Sequence, residues 1–124
     1  MNFTPEQSEA IFTHGQHLIV TAGAGSGKTR VLVERFIALL DRHPDWPLTS
    51  IVAITFTEKA AREMRDRVRQ AIEGRLADAP DDAGRDRWFQ HAAALNGARI
   101  GTIHSLCAQL LRANPAEAAL DPAF

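Results

Sequence analysis

Leu18-Ile19-Val20-Thr21-Ala22-Gly23-Ala24-Gly25-Ser26-Gly27-Lys28-Thr29-Arg30-Val31-Leu32-Val33 runs from a short apolar segment through a glycine-rich turn into a helix-like stretch. That order of strand, loop and helix is what a nucleotide-phosphate cradle requires. The glycines allow backbone conformations that a side chain forbids, so successive N–H groups can turn inward around a phosphate at the N-terminal end of the following helix. Lys28 is then placed to reach the β and γ phosphates, and the Thr29 hydroxyl to ligate Mg²⁺. Ala22 stands where such loops usually begin with glycine, a change that costs little if the residue keeps a negative φ. Ala22, Gly23, Ala24, Gly25, Ser26, Gly27, Lys28 and Thr29 together form a P-loop.

Working outward, the chain has 124 residues, 45% apolar and 23% charged, enough for one soluble α/β domain burying roughly two-thirds of its unfolded surface. A formal net charge of −1 does not advertise nucleic acid in bulk, so any such contact must come from local groups. The single cysteine, Cys107, excludes an internal disulfide or cysteine metal cluster and suits a reducing compartment. It falls at an apolar position of a helical segment and is expected in the core. Met1-Asn2-Phe3-Thr4-Pro5-Glu6 lacks the basic start and apolar run of a leader, and no segment approaches a membrane span. The expected location is the cytoplasm, with no membrane partner.

Thr4-Pro5-Glu6-Gln7 reads as a helix start, with Thr4 as N-cap, Pro5 at the first helical position and Gln7 completing a capping box. That helix reaches about residue 13; a strand over residues 17–21, the loop, and a helix over residues 27–42 follow. Pro44 and Pro47 end the latter, and the apolar residues 51–55 form a strand of the kind that is covered on both faces. Two strands joined through that helix make a right-handed βαβ unit.

Residues 57–76 form an amphipathic helix, with Ala61, Met64, Val68 and Ile72 on one stripe. Glu58 with Arg62, and Glu63 with Arg67, are four apart with the acid first, the favourable order for a helical ion pair. The cations Lys59, Arg62, Arg65, Arg67, Arg69 and Arg75 read mostly as a solvated face with paired acids. Residues 77–82 are a linker, 84–95 a helix, 99–103 a third strand and 104–113 a final helix, before an alanine-rich tail over 115–124. His14, His17, His43 and His91 show no metal-ligand spacing.

Ala22 to Thr29, with Ile54-Thr55-Phe56-Thr57-Glu58-Lys59-Ala60-Ala61-Arg62-Glu63-Met64 and Gly101-Thr102-Ile103-His104-Ser105-Leu106, resembles the first three blocks of the UvrD/Rep-type superfamily 1 DNA helicases. The last block, continuing through Cys107 to Leu110-Leu111-Arg112, is most similar to the AddA and RecB branch, the helicase-nucleases of recombination. The resemblance implies a RecA-like P-loop parallel sheet flanked by helices. It makes residues 1–124 the amino-terminal portion of a first motor domain, with 77–98 the least distinctive insert and 115–124 a tail. It implies ATP and Mg²⁺ as cofactors, and as partners single-stranded DNA, the remaining motor domains and a nuclease subunit.

Carried onto this chain, the resemblance puts Gln7 against the adenine edge and Arg30 over the adenine face, where a guanidinium stacks well on a flat ring. The alternatives are that Gln7 only completes its capping box and that Arg30 is a solvated helix residue. It puts Phe56 and Thr57 against single-stranded DNA just beyond the second strand, Phe56 otherwise being core. It puts Thr102 and His104 against the sugar-phosphate backbone, Thr102 otherwise being a helix N-cap.

After the third strand no apolar run ends in Asp-Glu, and no second domain brings an arginine finger, so the chain alone is expected to hydrolyse ATP barely or not at all. In an intact motor, Lys28 would neutralise charge on the transferred phosphoryl group while two domains open and close on ATP. Two other classes remain: a small-molecule P-loop kinase and a P-loop module that binds without turnover. An unpaired sheet edge is expected to make the chain self-associate.

Overall fold

The computed structural model describes residues 2–20, 27–117 and 119. Thr21 and the P-loop residues Ala22, Gly23, Ala24, Gly25 and Ser26 lie outside them, as does most of the expected tail. In chain order the elements are α1 (Pro5–Phe12), α2 (Lys28–Arg42), β1 (Val52–Thr55), α3 (Glu58–Ala77), α4 (Asp82–Ala93), β2 (Arg99–Thr102) and α5 (Ile103–Ala113). Short 3-10 turns at Leu48–Ser50 and Leu95–Gly97 lead into the two strands. The architecture is α/β, two parallel strands flanked by helices.

Each helix starts where a side chain satisfies its orphan N–H groups, with one exception. Thr4 accepts from Gln7 N while Gln7 Oε1 accepts from Thr4 N, the expected capping box. Thr57 caps α3, Asp81 caps α4 and Thr102 caps α5. Gly27, at the N-cap of α2, differs: its φ of 81° is left-handed and it offers no side-chain cap. A residue with a Cβ would be strained there.

The expected stripe of α3, Ala61, Met64, Val68 and Ile72, is buried, and the last three meet Val33, Phe36, Ile37 and Leu40 of α2, Trp88 of α4 and Ile100 of β2 in one core. Asp41 pairs with Arg75, tying the C-terminal turns of α2 and α3 and leaving their N-termini toward one end. Arg35 reaches from α2 to accepting carbonyls at Ala10 (2.7 Å) and Thr13 (2.8 Å), closing the C-terminal end of α1.

Three expectations are corrected. Residues 17–20 form no strand among the described residues, Ile19 is 94% exposed, and the βαβ unit that does form is β1–α3–α4–β2. An apolar run becomes a strand only when a neighbour takes its backbone groups, and no described residue does so here. Secondly, among the described residues the sheet is well covered on one face only. Ala53, Thr55, Ile100 and Thr102 share the face toward α3, whereas Val52 and Ile54 on the other are about half exposed. Thirdly, Cys107 is exposed, because α5 buries none of its residues. Its apolar periodicity is real, but nothing described lies over it.

The cations of α3 are also less solvated than expected. Glu63 and Arg67 pair at 3.0 Å as expected, but Arg75 crosses to Asp41 and Arg65 donates to Ile100 O at 2.6 Å. Arg65 thereby ties α3 to β2 and lines a cavity with Leu106 and Gln109 of α5. β1 carries an edge that no described strand pairs. Concentration-dependent association is expected in light scattering, and Val52→Lys, which puts a charge on that edge, should return the chain to monomer.

His91 is 5% exposed on α4, edge-on to Trp88 with ring centroids 5.3 Å apart, and its Nε2 has no hydrogen-bond partner. Burial, reinforced by the nearby Arg87 guanidinium, holds the imidazole below its ordinary pKa of 6.5. The unfolded chain then takes up a proton near 6.5 that folded His91 refuses, so stability present above that pH is lost as pH falls toward the folded value. Thermal melts should decline on acidification through this window, and more shallowly in His91→Phe.

Candidate functional site

Two groups of expected site residues are brought to the helix N-termini. The first is around α2. A Cβ placed on Gly27 would meet Gln7 Nε2 at 3.7 Å, so the amide end of Gln7 lies at the mouth of α2. Its other end, Oε1, serves the capping box, so that reading of Gln7 holds. Gln7, Thr4 and Lys28 line a cavity of about 680 Å³ whose walls include Leu18, Val31 and Leu32. Apolar walls with a few convergent polar groups are the usual make-up of a small-molecule site.

Arg30 is not a solvated residue. Its guanidinium lies over the Phe3 ring, 4.4 Å from the centroid, and Nε and Nη2 are buried without a hydrogen-bond partner. Phe3 carried no signal in the sequence, since an aromatic directly before the N-cap Thr4 reads as ordinary hydrophobic packing. Lys28 and Thr29 open α2, where the helix dipole and uncapped N–H groups favour an anion. Ala22 to Ser26, which would complete the cradle, lie outside the described residues.

The second group sits at the carboxyl ends of β1 and β2. The register Thr55↔Thr102 makes these ends level, so the turns after them emerge side by side. Phe56 is 98% exposed, which rules out its place in the core. Thr57 is fixed as the cap of α3, its Oγ1 accepting from Ala60 N at 3.1 Å and its carbonyl accepting from Thr55 Oγ1 at 3.0 Å. His104 is exposed in the first turn of α5.

Thr102 is the least accessible of the four, 6% exposed. Its Oγ1 accepts from Ser105 N at 3.1 Å, lies 3.0 Å from Ser105 Oγ and donates to Glu58 Oε1 at 3.4 Å. It is an N-cap, as the alternative reading had it. Ser105 and Glu58 belong to this cluster, although the sequence offered Glu58 only as a partner for Arg62 and gave Ser105 no role; the link joins positions 44 and 47 apart, which no helical or strand period connects.

The described residues contain no group of three or more His, Cys, Asp or Glu side chains that could hold a metal ion. No described helix is long and apolar enough to cross a membrane.

Because Phe56 makes so little contact with the fold, Phe56→Ala should shift the unfolding free energy by less than about 0.5 kcal/mol in urea melts. Any loss of ligand binding in that variant then cannot be assigned to unfolding.

The chain is similar to known proteins along nearly its whole length. Residues 3–124 match the family described as UvrD/REP helicase N-terminal domain. A protein of Exiguobacterium sibiricum, named as one subunit of an ATP-dependent helicase/nuclease, is 46% identical over 126 residues, covering 100% of this chain and 10% of that protein. Proteins of the same name from Natranaerobius thermophilus and Oceanobacillus iheyensis are 41% and 42% identical, over 98% and 100% of this chain and 9% and 10% of theirs. The chain thus spans about a tenth of the length of the curated relatives it matches. With that match along nearly all its residues, on a parallel strand pair whose carboxyl ends carry the recognised blocks, the chain belongs to the UvrD/REP helicase N-terminal domain family.

Proposed function

We propose that this chain is the ATP-binding and strand-binding front of an ATP-dependent DNA helicase or translocase of repair or recombination, the amino-terminal portion of a first RecA-like motor domain. One observation carries the reading: Phe56 presents its ring almost entirely to solvent at the carboxyl end of a parallel strand. That is where ligands of open α/β sheets bind. A base stacked on such a ring gains about 1–3 kcal/mol whatever its identity, which suits an enzyme that moves along arbitrary sequence. Thr57, Thr102 and His104 serve the same strand, the last two through its sugar-phosphate backbone.

The nucleotide side uses Gln7 on the adenine edge, Arg30 on the adenine face, and Ala22 through Thr29 on the phosphates. Support comes from the cavity that Gln7 and Lys28 share and from the guanidinium of Arg30, which lies over Phe3 with two nitrogens lacking partners. Lys28 supplies positive charge at the phosphates, and Thr29 contributes a hydroxyl to Mg²⁺, whose role when bound is to neutralise phosphate charge. In line with the relatives' name, the proposed protein partners are the remaining motor domains and a nuclease subunit.

By itself the chain is proposed to bind nucleotide without turnover. A nucleotide-binding module without DNA contact is the second reading, favoured by the burial of Thr102 in its capping role. Calorimetry with Mg²⁺-ATP and with an oligothymidylate tests both. Lys28→Ala should abolish or greatly weaken nucleotide binding and leave DNA binding intact. Phe56→Ala should weaken DNA binding by about 1–3 kcal/mol and leave ATP binding intact. Nucleotide binding with no DNA binding in any form would establish the second reading instead.

A further inference from the structure

Spacing along α3 favours two ion pairs, and only one of them forms. Glu63 takes Arg67, whereas Glu58, at the first position of α3, turns away from Arg62 and directs Oε1 toward Thr102 Oγ1 and Ser105 Oγ, both at 3.4 Å. These hydroxyls stand at the start of α5, at the sheet end proposed to hold DNA. We propose that Glu58 competes with nucleic-acid phosphate for the hydroxyl protons of Thr102 and Ser105, and so sets how tightly this end of the sheet holds a strand. The inference deepens the strand-binding reading and rests on it.

Proton counting makes the two occupants exclusive. A hydroxyl carries one proton, and the Thr102 oxygen already accepts from Ser105 N. The pair holds two protons, of which the 3.0 Å contact between the two hydroxyls takes one whenever it forms, and an ionised carboxylate, which only accepts, draws what is left. A phosphate oxygen also only accepts and needs the same protons. Two anions cannot share them without like-charge repulsion, so a phosphate enters as Glu58 leaves.

The contact is built to be surrendered. Hydrogen bonds from hydroxyl to carboxylate are normally about 2.5–2.7 Å, and those to Glu58 are far longer. The side chain that leaves has a partner waiting, since Arg62 lies four residues on in the favourable orientation. The N-terminal ends of α3 and α5 favour an anion in either arrangement, so the exchange replaces one negative group by another.

Fluorescence anisotropy with a labelled oligothymidylate compares the unaltered chain with Glu58→Gln, Glu58→Ala and Glu63→Gln, alone and in a Ser105→Ala background. Circular dichroism melts accompany each variant, and Glu58→Gln keeps the side-chain size should Glu58→Ala fold poorly. Both Glu58 substitutions should tighten binding, by about two- to fivefold for release of one exposed contact. Glu63→Gln should do so less, and the gain from Glu58→Gln should shrink when Ser105 is Ala. Unchanged or weaker binding in the folded Glu58 variants overturns the proposal. So does an equal gain from Glu63→Gln that ignores Ser105, which is charge repulsion alone. Binding that falls with Phe56→Ala but does not rise with Glu58→Gln separates this failure from failure of the DNA reading, in which no form binds; that result overturns both.

Discussion

Everything described in this chain is positioned by the burial of one stripe on α3. Ala61, Met64, Val68 and Ile72 are buried between α2, α4 and β2, and the same helix extends Arg65 to β2, Arg75 to α2 and Glu58 to α5. Removing water from several large apolar side chains contributes about 1.5–3 kcal/mol for each, far more than any surface ion pair here. The polar links therefore set orientation on a helix that the core has already placed. The consequence for the site is direct: Thr57 caps α3, so the ring of Phe56 is carried by the rigid end of the most firmly packed element.

The two candidate sites differ in how their helices begin. α3, α4 and α5 start on side-chain caps, which use up orphan donors internally. α2 starts on Gly27 in a left-handed conformation with no side-chain cap. Thr at that position would be capped but strained, and its oxygen would take the N–H groups that an anion needs. The helix end that gives up a cap is thus the one whose preceding sequence reads as a phosphate cradle.

Helices were legible because their determinants are local. Thr4 with Gln7, the α3 stripe and Thr102 before Ile103 can be read within a turn or two, and the observed bounds follow. Residues 17–20 illustrate the limit: an apolar run states what a strand would bury but not which backbone will pair with it. Cys107 failed similarly, since periodicity identifies an apolar face and says nothing of what covers it. At the site, Phe56 had one of two fates decided only by where β1 ends. Glu58 was assigned to Arg62 by its spacing, and the competing hydroxyls lie 44 and 47 positions away. Arg65 and Arg75 reach partners 35 and 34 positions distant, beyond any periodic rule.

The uncovered surface has a direction. Arg65 engages a carbonyl of β2, whereas β1 presents an edge that no described strand pairs, beside half-exposed Val52 and Ile54. Parallel sheets are stable when both faces are covered and their strands are paired, and neither holds for β1 among the described residues. Residues 18–20, apolar and unpaired, lead into the P-loop and toward the N-terminus of α2, which packs on the same core. A strand added beside β1 would give that run a neighbour and cover Val52 and Ile54 at once. The phosphate cradle would then gain the fixed strand on which its geometry depends, which makes the nucleotide side more dependent on added sheet than the strand-binding side, whose two carboxyl ends are already level.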